Sequence, residues 1–299
     1  MTSTHILVTG ATGFIGSRLV PALLDAGYDV RAMTRRPEAY DGPGTPIGGD
    51  VNTPDSLAAA LDGVEVAYYL VHSLDAADFA DRDARAAKAF GEAAAEAGVR
   101  QLVFLGGLGA EGAELSPHLR SRREVEGLLG EGGVPVTVLR AGIVVGRGGV
   151  SWELTRQLVK NLPAMIVPKW VSTKTQPIAV DDVVRYLVGV AGEPRAEGRV
   201  FEIGGPEVLS YSEMLEVASE VASGRRVPIV RVPVLTPRLS SYWLWLVTDV
   251  DVTTGRNLID SMGTEVIVTN TSIRDVVPGD PIPYQEAVRR ALEDTPDAR

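Results

Sequence analysis

Near its start the chain reads Val8-Thr9-Gly10-Ala11-Thr12-Gly13-Phe14-Ile15-Gly16, an apolar run that passes into glycines spaced at i, i+3 and i+6. The context is right on both sides. His5-Ile6-Leu7-Val8 is a short buried-strand run, and Ser17 to Leu24 is an amphipathic helical stretch that ends at Gly27. Each glycine then has a separate task. Gly10 permits a tight turn, Gly13 lets the backbone approach a pyrophosphate, and Gly16 lets the following helix lie close on the sheet. The free N–H groups and positive dipole end of that helix face the phosphates. The segment therefore predicts a dinucleotide-binding turn, with Thr12, Phe14 and Ile15 completing the cradle between the glycines.

The rest of the first half alternates short β-branched runs with helical stretches, the pattern of a parallel sheet with right-handed crossovers. Strands are expected at 29–33, 45–48, 64–71, 101–105 and 134–140, and helices at 56–61, 77–97 and 121–129, with Gly98 closing the long Ala-rich helix. This spacing predicts an α/β, Rossmann-type, doubly wound sheet. Residues 1–148 are read as the dinucleotide-binding core. Residues 149–299, less regular and punctuated by Pro163, Pro168, Pro177, Pro206, Pro228, Pro233 and Pro237, are read as completing the sheet and forming a smaller substrate lobe. Without a charged linker or repeat, the two parts are expected to form one compact unit. Asp181 and Asp182 are expected to cap a helix that begins near Val183.

Bulk properties exclude several partners. The formal charge of −10 argues against a nucleic-acid backbone and an anionic membrane surface, both of which need clustered Lys and Arg. The chain has no cysteine, which removes disulfides, thiolate metal sites and cysteine nucleophiles. Its first residues lack a basic region and run straight into a strand, so no signal peptide is expected and the cytoplasm is the default compartment. The aromatic stretch Tyr242-Trp243-Leu244-Trp245-Leu246-Val247 is too short to span a bilayer. Lobe packing, a greasy pocket, a dimer contact and a membrane-surface contact are all open for it.

The end of the second strand bears on the choice of coenzyme. An acidic side chain there holds the ribose hydroxyls of NAD, whereas arginine accommodates the additional phosphate of NADP. This chain reads Thr34-Arg35-Arg36-Pro37, two guanidiniums and no acid, since Asp29 lies at the start of the strand. The pattern favours NADP(H) over NAD(H), the alternative being a solvated basic turn. Asp50-Val51, after the third strand, is placed to meet the adenine edge.

Taken in order, the motifs resemble the extended and atypical short-chain dehydrogenase/reductase superfamily, including NAD(P)-dependent epimerase/dehydratase-like and nitrogen-regulator-like members. The resemblance covers most of the chain. It rests on the three glycines, Gly49-Asp50-Val51, Leu70-Val71-His72-Ser73, the helix around Ser121-Arg122, Leu139-Arg140-Ala141-Gly142, Gln176 to Asp182 and Phe201 to Pro206. It implies that Val71, His72, Ser73, Gly106, Arg122, Ala141 and Gly142 border the cofactor.

In that superfamily a tyrosine and a lysine four residues later open the helix after the fifth strand, and a serine follows the strand before it. The tyrosine passes the proton while the lysine holds the ribose. Aligning Ser121-Arg122 with the family's serine-lysine puts His118 in the tyrosine's place and Arg122 in the lysine's, and the serine-bearing turn reads Leu105-Gly106-Gly107-Leu108-Gly109. Histidine relays protons near neutral pH, and a neighbouring arginine holds a ribose or substrate oxygen and favours the neutral imidazole. His118 and Arg122 are therefore the catalytic candidates, the alternative for His118 being that it merely opens a helix after Ser116-Pro117.

His72 also falls at the carboxyl edge of the sheet. Tyr68 and Tyr69 read as strand residues, and no third ligand at metal spacing accompanies the histidines. The readings that follow are an NADP(H)-dependent oxidoreductase acting on a small or lipophilic carbonyl or enone, and a non-catalytic NADP(H)-binding redox sensor or accessory subunit. A sugar-nucleotide epimerase or dehydratase comes third, because that chemistry leans on the missing tyrosine. Family relatives are often homo-oligomers, so self-association is expected to be open.

Overall fold

The computed structural model describes residues 4–72, 79–109, 115–162, 164–167, 169–231 and 263–294. Ser73 and the aromatic stretch 242–247 lie outside the described residues.

Period-two alternation in the strands decides the layers. In β1 (His5–Val8), Ile6 and Val8 point to one face and Leu7 to the other; in β4 (Val66–Tyr69), Tyr68 opposes Ala67 and Tyr69. Both faces are apolar, which is the signature of a parallel sheet covered on two sides. The other strands are β2 (Asp29–Thr34), β3 (Thr45–Gly48), β5 (Gln101–Gly107), β6 (Val136–Ala141) and a seventh, Val200–Ile203. They form one parallel sheet in the order Val200–Ile203, β6, β5, β4, β1, β2, β3.

One face of this sheet packs on α1 (Gly16–Asp25) through Leu19, Val20 and Leu23 and on a helix at Val180–Gly189 through Val183, Tyr186 and Leu187. The opposite face packs on α2 (Leu57–Leu61), α3 (Phe79–Glu96) and α4 (Pro117–Gly130) through Leu57, Phe90, Val125 and Leu129. Burial of these side chains drives the layering, at roughly 1.5–3 kcal/mol for each large one. A smaller cluster joins Trp152 and Met214 to Tyr284 and Val288 of the C-terminal helix Tyr284–Glu293.

Two sequence expectations are corrected in detail. The helix expected near Val183 begins at Val180, with Ala179 at its N-cap and no side-chain cap bond. Asp181 and Asp182 thus sit inside its first turn. The buried Asp182 instead receives Arg185 at 2.9 Å and the Ile282 amide at 2.7 Å, so it ties the C-terminal segment to the sheet domain. The helix expected at 121–129 starts four residues earlier, at Pro117, because Ser116 caps it: its hydroxyl accepts from the Leu119 amide at 3.3 Å and proline occupies the first position. His118 is therefore inside the first turn of α4.

Candidate functional site

The site lies where strand order reverses, between β1 and β4, at the carboxyl ends of both strands. Thr9 fixes that edge. Its buried hydroxyl donates to the Tyr68 carbonyl at 2.9 Å and accepts from the Leu70 amide at 3.0 Å, which straps the end of β1 to the chain leaving β4. Gly10 then takes φ +63°, a conformation that side chains rarely adopt. At Gly16 the reason is contact: a Cβ there would stand 2.2 Å from the Gly10 carbonyl oxygen and 2.8 Å from the Ala11 Cα. The helix can begin under the turn only because Gly16 is bare. No side chain caps the N-terminus of α1; the Ser17 amide donates to the Gly13 carbonyl at 3.0 Å, and the positive end of the helix opens under the glycine turn.

From this turn a cleft of about 590 Å³ runs along the sheet edge, lined by Gly10, Thr12, Gly13, Thr34, Arg35, Arg36, Asp50, Val51, Val71 and His72. These are ten of the residues that sequence reasoning placed at the cofactor. The backbone cradle and the helix end fit an NAD(P)-type dinucleotide, and the paired arginines line the same cleft.

Arg82 was not anticipated. It comes from the first turns of α3, lines the same cleft, and its Nε donates to Asn52 Oδ1 at 3.1 Å. Its placement follows from α3 packing across the sheet edge, which no local motif encodes. Asn52 in turn donates to Asp50 Oδ1 from its backbone at 2.9 Å and its side chain at 3.0 Å. Burial acts to raise the Asp50 pKa, but those hydrogen bonds and the nearby Arg35 and Arg82 outweigh it and hold the carboxyl below its usual range. This end of the cleft thus carries three guanidiniums around one firmly ionised carboxylate.

Past Val71 the cleft ends on a cluster of four polar side chains. His72 Nδ1 lies 2.8 Å from Asp83 Oδ2 of α3, with the two side chains 18% and 5% exposed. The His118 ring tilts against the His72 ring at 41°, with centroids 4.9 Å apart. Arg122, one turn along α4 from His118, is buried beneath this pair; its guanidinium sits 4.4 Å over the Phe104 ring and donates to the Leu105 carbonyl at 2.5 Å. Burial pulls the Arg122 pKa down to about 10 against the opposing influence of Asp83, Tyr69 and Glu126, so it remains a cation at neutral pH. Arg122 Nη1 and His118 Nδ1 are buried with no hydrogen-bond partner among the described residues. Buried orphans of this kind are uncommon and costly, and they point to a ligand.

Burial, followed by the neighbouring His72 and Arg122, pushes the His118 pKa down to about 3. Its position at the start of α4 acts in the same direction through the helix dipole. Unfolded, the same imidazole protonates near pH 6.5. Between these values the unfolded chain binds the extra proton, so the cost is absent above pH 6.5 and grows as the pH falls. Chemical denaturation is expected to show wild type losing about 3 kcal/mol more than His118→Gln between neutral pH and pH 4. Parallel stability curves for the two proteins would show that His118 is not held neutral.

The glycine turn after β5 is dictated by its surroundings. A Cβ at Gly106 would meet Glu126 Oε1 at 2.7 Å, at Gly107 Leu119 Cδ2 at 2.5 Å, and at Gly109 Leu115 Cδ2 at 2.8 Å. A serine in any of these places requires its neighbours to move. Glu126 is held there by Arg140, whose Nη2 donates to Oε2 at 2.6 Å and Nε to Oε1 at 3.1 Å, a buried ion pair that the sequence did not reveal.

The remaining predicted residues stand back from the cleft. The Phe14 ring fills the space beside Gly146 and Gly149, and Ile15 is the N-cap of α1 and packs on the core. Ala141 ends β6, and Gly142 faces Thr175, Gln176 and Val266. Tyr68 and Tyr69 are strand residues buried in the two core faces, and burial raises the pKa of both phenols. Among the described residues no group of three or more His, Asp or Glu side chains is arranged to hold a metal ion, and no helix is long and apolar enough to cross a membrane.

Residues 10–169 match the sequence family described as NAD(P)H-binding. The chain belongs to that family. The chain is 31% identical over 228 residues to the (4-alkanoyl-5-oxo-2,5-dihydrofuran-3-yl)methyl phosphate reductase of Streptomyces griseus, covering 72% of this chain and 73% of that one. It is 28% identical over 259 residues to the photosystem II assembly factor Ycf39 of Cyanophora paradoxa, covering 82% and 78%. The fold matches an NADPH-dependent quinone oxidoreductase of Escherichia coli, crystallised with NADPH, with a TM-score of 0.79 at 20% identity over 96% and 99% of the two chains. The family match and the shared fold agree with the NAD(P)-binding α/β architecture that the ordered motifs imply.

Proposed function

We propose that this protein is an NADP(H)-dependent reductase of a small carbonyl or enone compound, with His118 and Arg122 standing where relatives carry tyrosine and lysine. The observation that carries the reading is the pair of buried, unpartnered atoms, Arg122 Nη1 and His118 Nδ1, beside the end of the nucleotide cleft. The nicotinamide, when bound, supplies hydride chemistry at that end. The chain's own residues would do the rest. Gly10, Gly13 and the start of α1 hold the pyrophosphate, Arg35, Arg36 and Arg82 hold the additional phosphate, and Arg122 polarises an oxygen of ribose or substrate. The Streptomyces relative is named as a reductase, which favours the same class.

The similarity to an assembly factor supports a second reading, an NADP(H)-binding accessory protein without turnover. One experiment separates the two. NADPH and NADH are titrated by fluorescence, and NADPH oxidation is then followed across a panel of aldehydes, ketones, quinones and enones with wild type, His118→Ala and Arg122→Met. Turnover that falls in both variants supports the reductase. Tight NADPH binding with no oxidation across the panel supports the accessory reading, and absence of nucleotide binding overturns both.

A further inference from the structure

This inference rests on the reductase reading and concerns which side chain handles the substrate's proton. We infer that His72, oriented by Asp83, gives and takes that proton at Nε2, while His118 serves as a neutral hydrogen-bonding ring beside it.

Three observations carry it. First, His72 lines the nucleotide cleft directly, next to Leu70 and Val71 at the carboxyl edge of β4, whereas His118 of α4 is in contact with His72 but is not part of that lining. Second, the 2.8 Å contact from His72 Nδ1 to the 5% exposed Asp83 carboxylate fixes the tautomer. With Nδ1–H donated to Asp83, Nε2 becomes the basic nitrogen, and the carboxylate stabilises the imidazolium once Nε2 is protonated. Third, the two rings touch, with centroids 4.9 Å apart, so both cannot carry charge at once. The ring with a carboxylate takes the proton. The other, buried at a helix N-terminus beside Arg122, stays neutral.

The groups facing His72 are Asp83 and Arg82 from α3, His118 and Arg122 from α4, and the neighbouring Tyr69 of β4, whose buried phenol stays neutral. Reduction of a carbonyl to an alcohol consumes one hydride and one proton. The reduced nicotinamide is the hydride source and is oxidised in giving it. For the proton, the Nε2–H bond of imidazolium His72 breaks as the substrate's O–H bond forms. The ring is left neutral with its second proton on Nδ1 against Asp83, and solvent reloads Nε2. Asp83 is a positioning residue in this scheme, since it acts only through His72.

The test uses the full chain saturated with NADPH and reads nitrogen chemical shifts by two-dimensional NMR of the histidine rings across pH 5 to 9, with assignments from His72→Gln and His118→Gln. The expected result is that His72 titrates as the Nδ1–H tautomer, that Asp83→Asn lowers its pKa by about one unit or more, and that His118 stays neutral throughout. Under saturating coenzyme and the best substrate of the panel, His72→Gln should lower kcat by about 100-fold with the alkaline limb of the pH profile, where imidazolium His72 loses its proton, abolished. Asp83→Asn should shift that limb to lower pH. Titration of His118 in place of His72, or wild-type kcat and pH profile in His72→Gln, overturns the proposal. Failure of the wild type to bind NADPH overturns the reductase reading instead, and the ring titrations of the free protein then still decide which histidine takes the proton.

Discussion

Replacing Arg35 and Arg36 together by alanine is expected to weaken NADPH binding by roughly 30- to 150-fold while changing NADH binding by less than about threefold. Both side chains are exposed at the end of β2 and line the cleft. Each charge-assisted hydrogen bond to a phosphate is worth about 1.5–3 kcal/mol when fully formed, and partial exposure reduces that to about 1–1.5 kcal/mol each. Arg82→Ala should add a smaller loss, because its guanidinium also holds Asn52 at 3.1 Å. Selectivity in the wild type should decline with salt, as expected for ion pairs at the surface. Fluorescence titration of both coenzymes at two ionic strengths measures all of this. Equal losses for NADPH and NADH would place the arginines away from the phosphate that distinguishes the two.

The second large effect is expected at Gly16. Its alanine variant puts a methyl group 2.2 Å from the Gly10 carbonyl oxygen and 2.8 Å from the Ala11 Cα, and both obstacles are backbone. No rotamer change relieves such a clash. Either the Gly10 turn opens or α1 lifts off the sheet, and α1 carries Leu19, Val20 and Leu23 in the core. A loss of about 3 kcal/mol or more in stability is expected, together with loss of nucleotide binding. Gly27→Ala is the matched control. Gly27 has φ +89° but nothing within 4 Å of an added Cβ, so only backbone strain of about 1 kcal/mol applies there. Urea unfolding and NADPH titration of the two variants check the difference; a Gly16→Ala protein that melts and binds like Gly27→Ala would refute the close approach.

Much of the nucleotide half is legible in the amino-acid sequence, for reasons that are local. The strand before Gly10 and the helix after it are encoded within about twenty consecutive residues, and alternation such as Ile6-Leu7-Val8 states which side chains go to which face. The end of β2 is likewise local: strand direction alone carries Thr34, Arg35 and Arg36 to the carboxyl edge. Boundaries are less legible where capping competes with pattern. Ser116-Pro117 starts α4 early and brings His118 into the helix, and Asp182 is drawn from a capping role into long-range bonds with Arg185 and Ile282.

The chain by itself determined a doubly wound sheet and a dinucleotide turn, because spacing and glycine sterics act over short distances. It also supplied the two histidines and the arginine that cluster at the end of the cleft. What surrounds them was decided only by tertiary packing. Laying α3 and α4 on one face of the sheet brings Asp83 to His72, Arg82 to Asn52, and the His118 ring to His72. It also seats Arg140 on Glu126, and Glu126 stands where a side chain at Gly106 would project. A carboxylate from a helix face chosen by apolar burial has no sequence signature, since the residues that put it there are the alanines and phenylalanine packed beneath the helix.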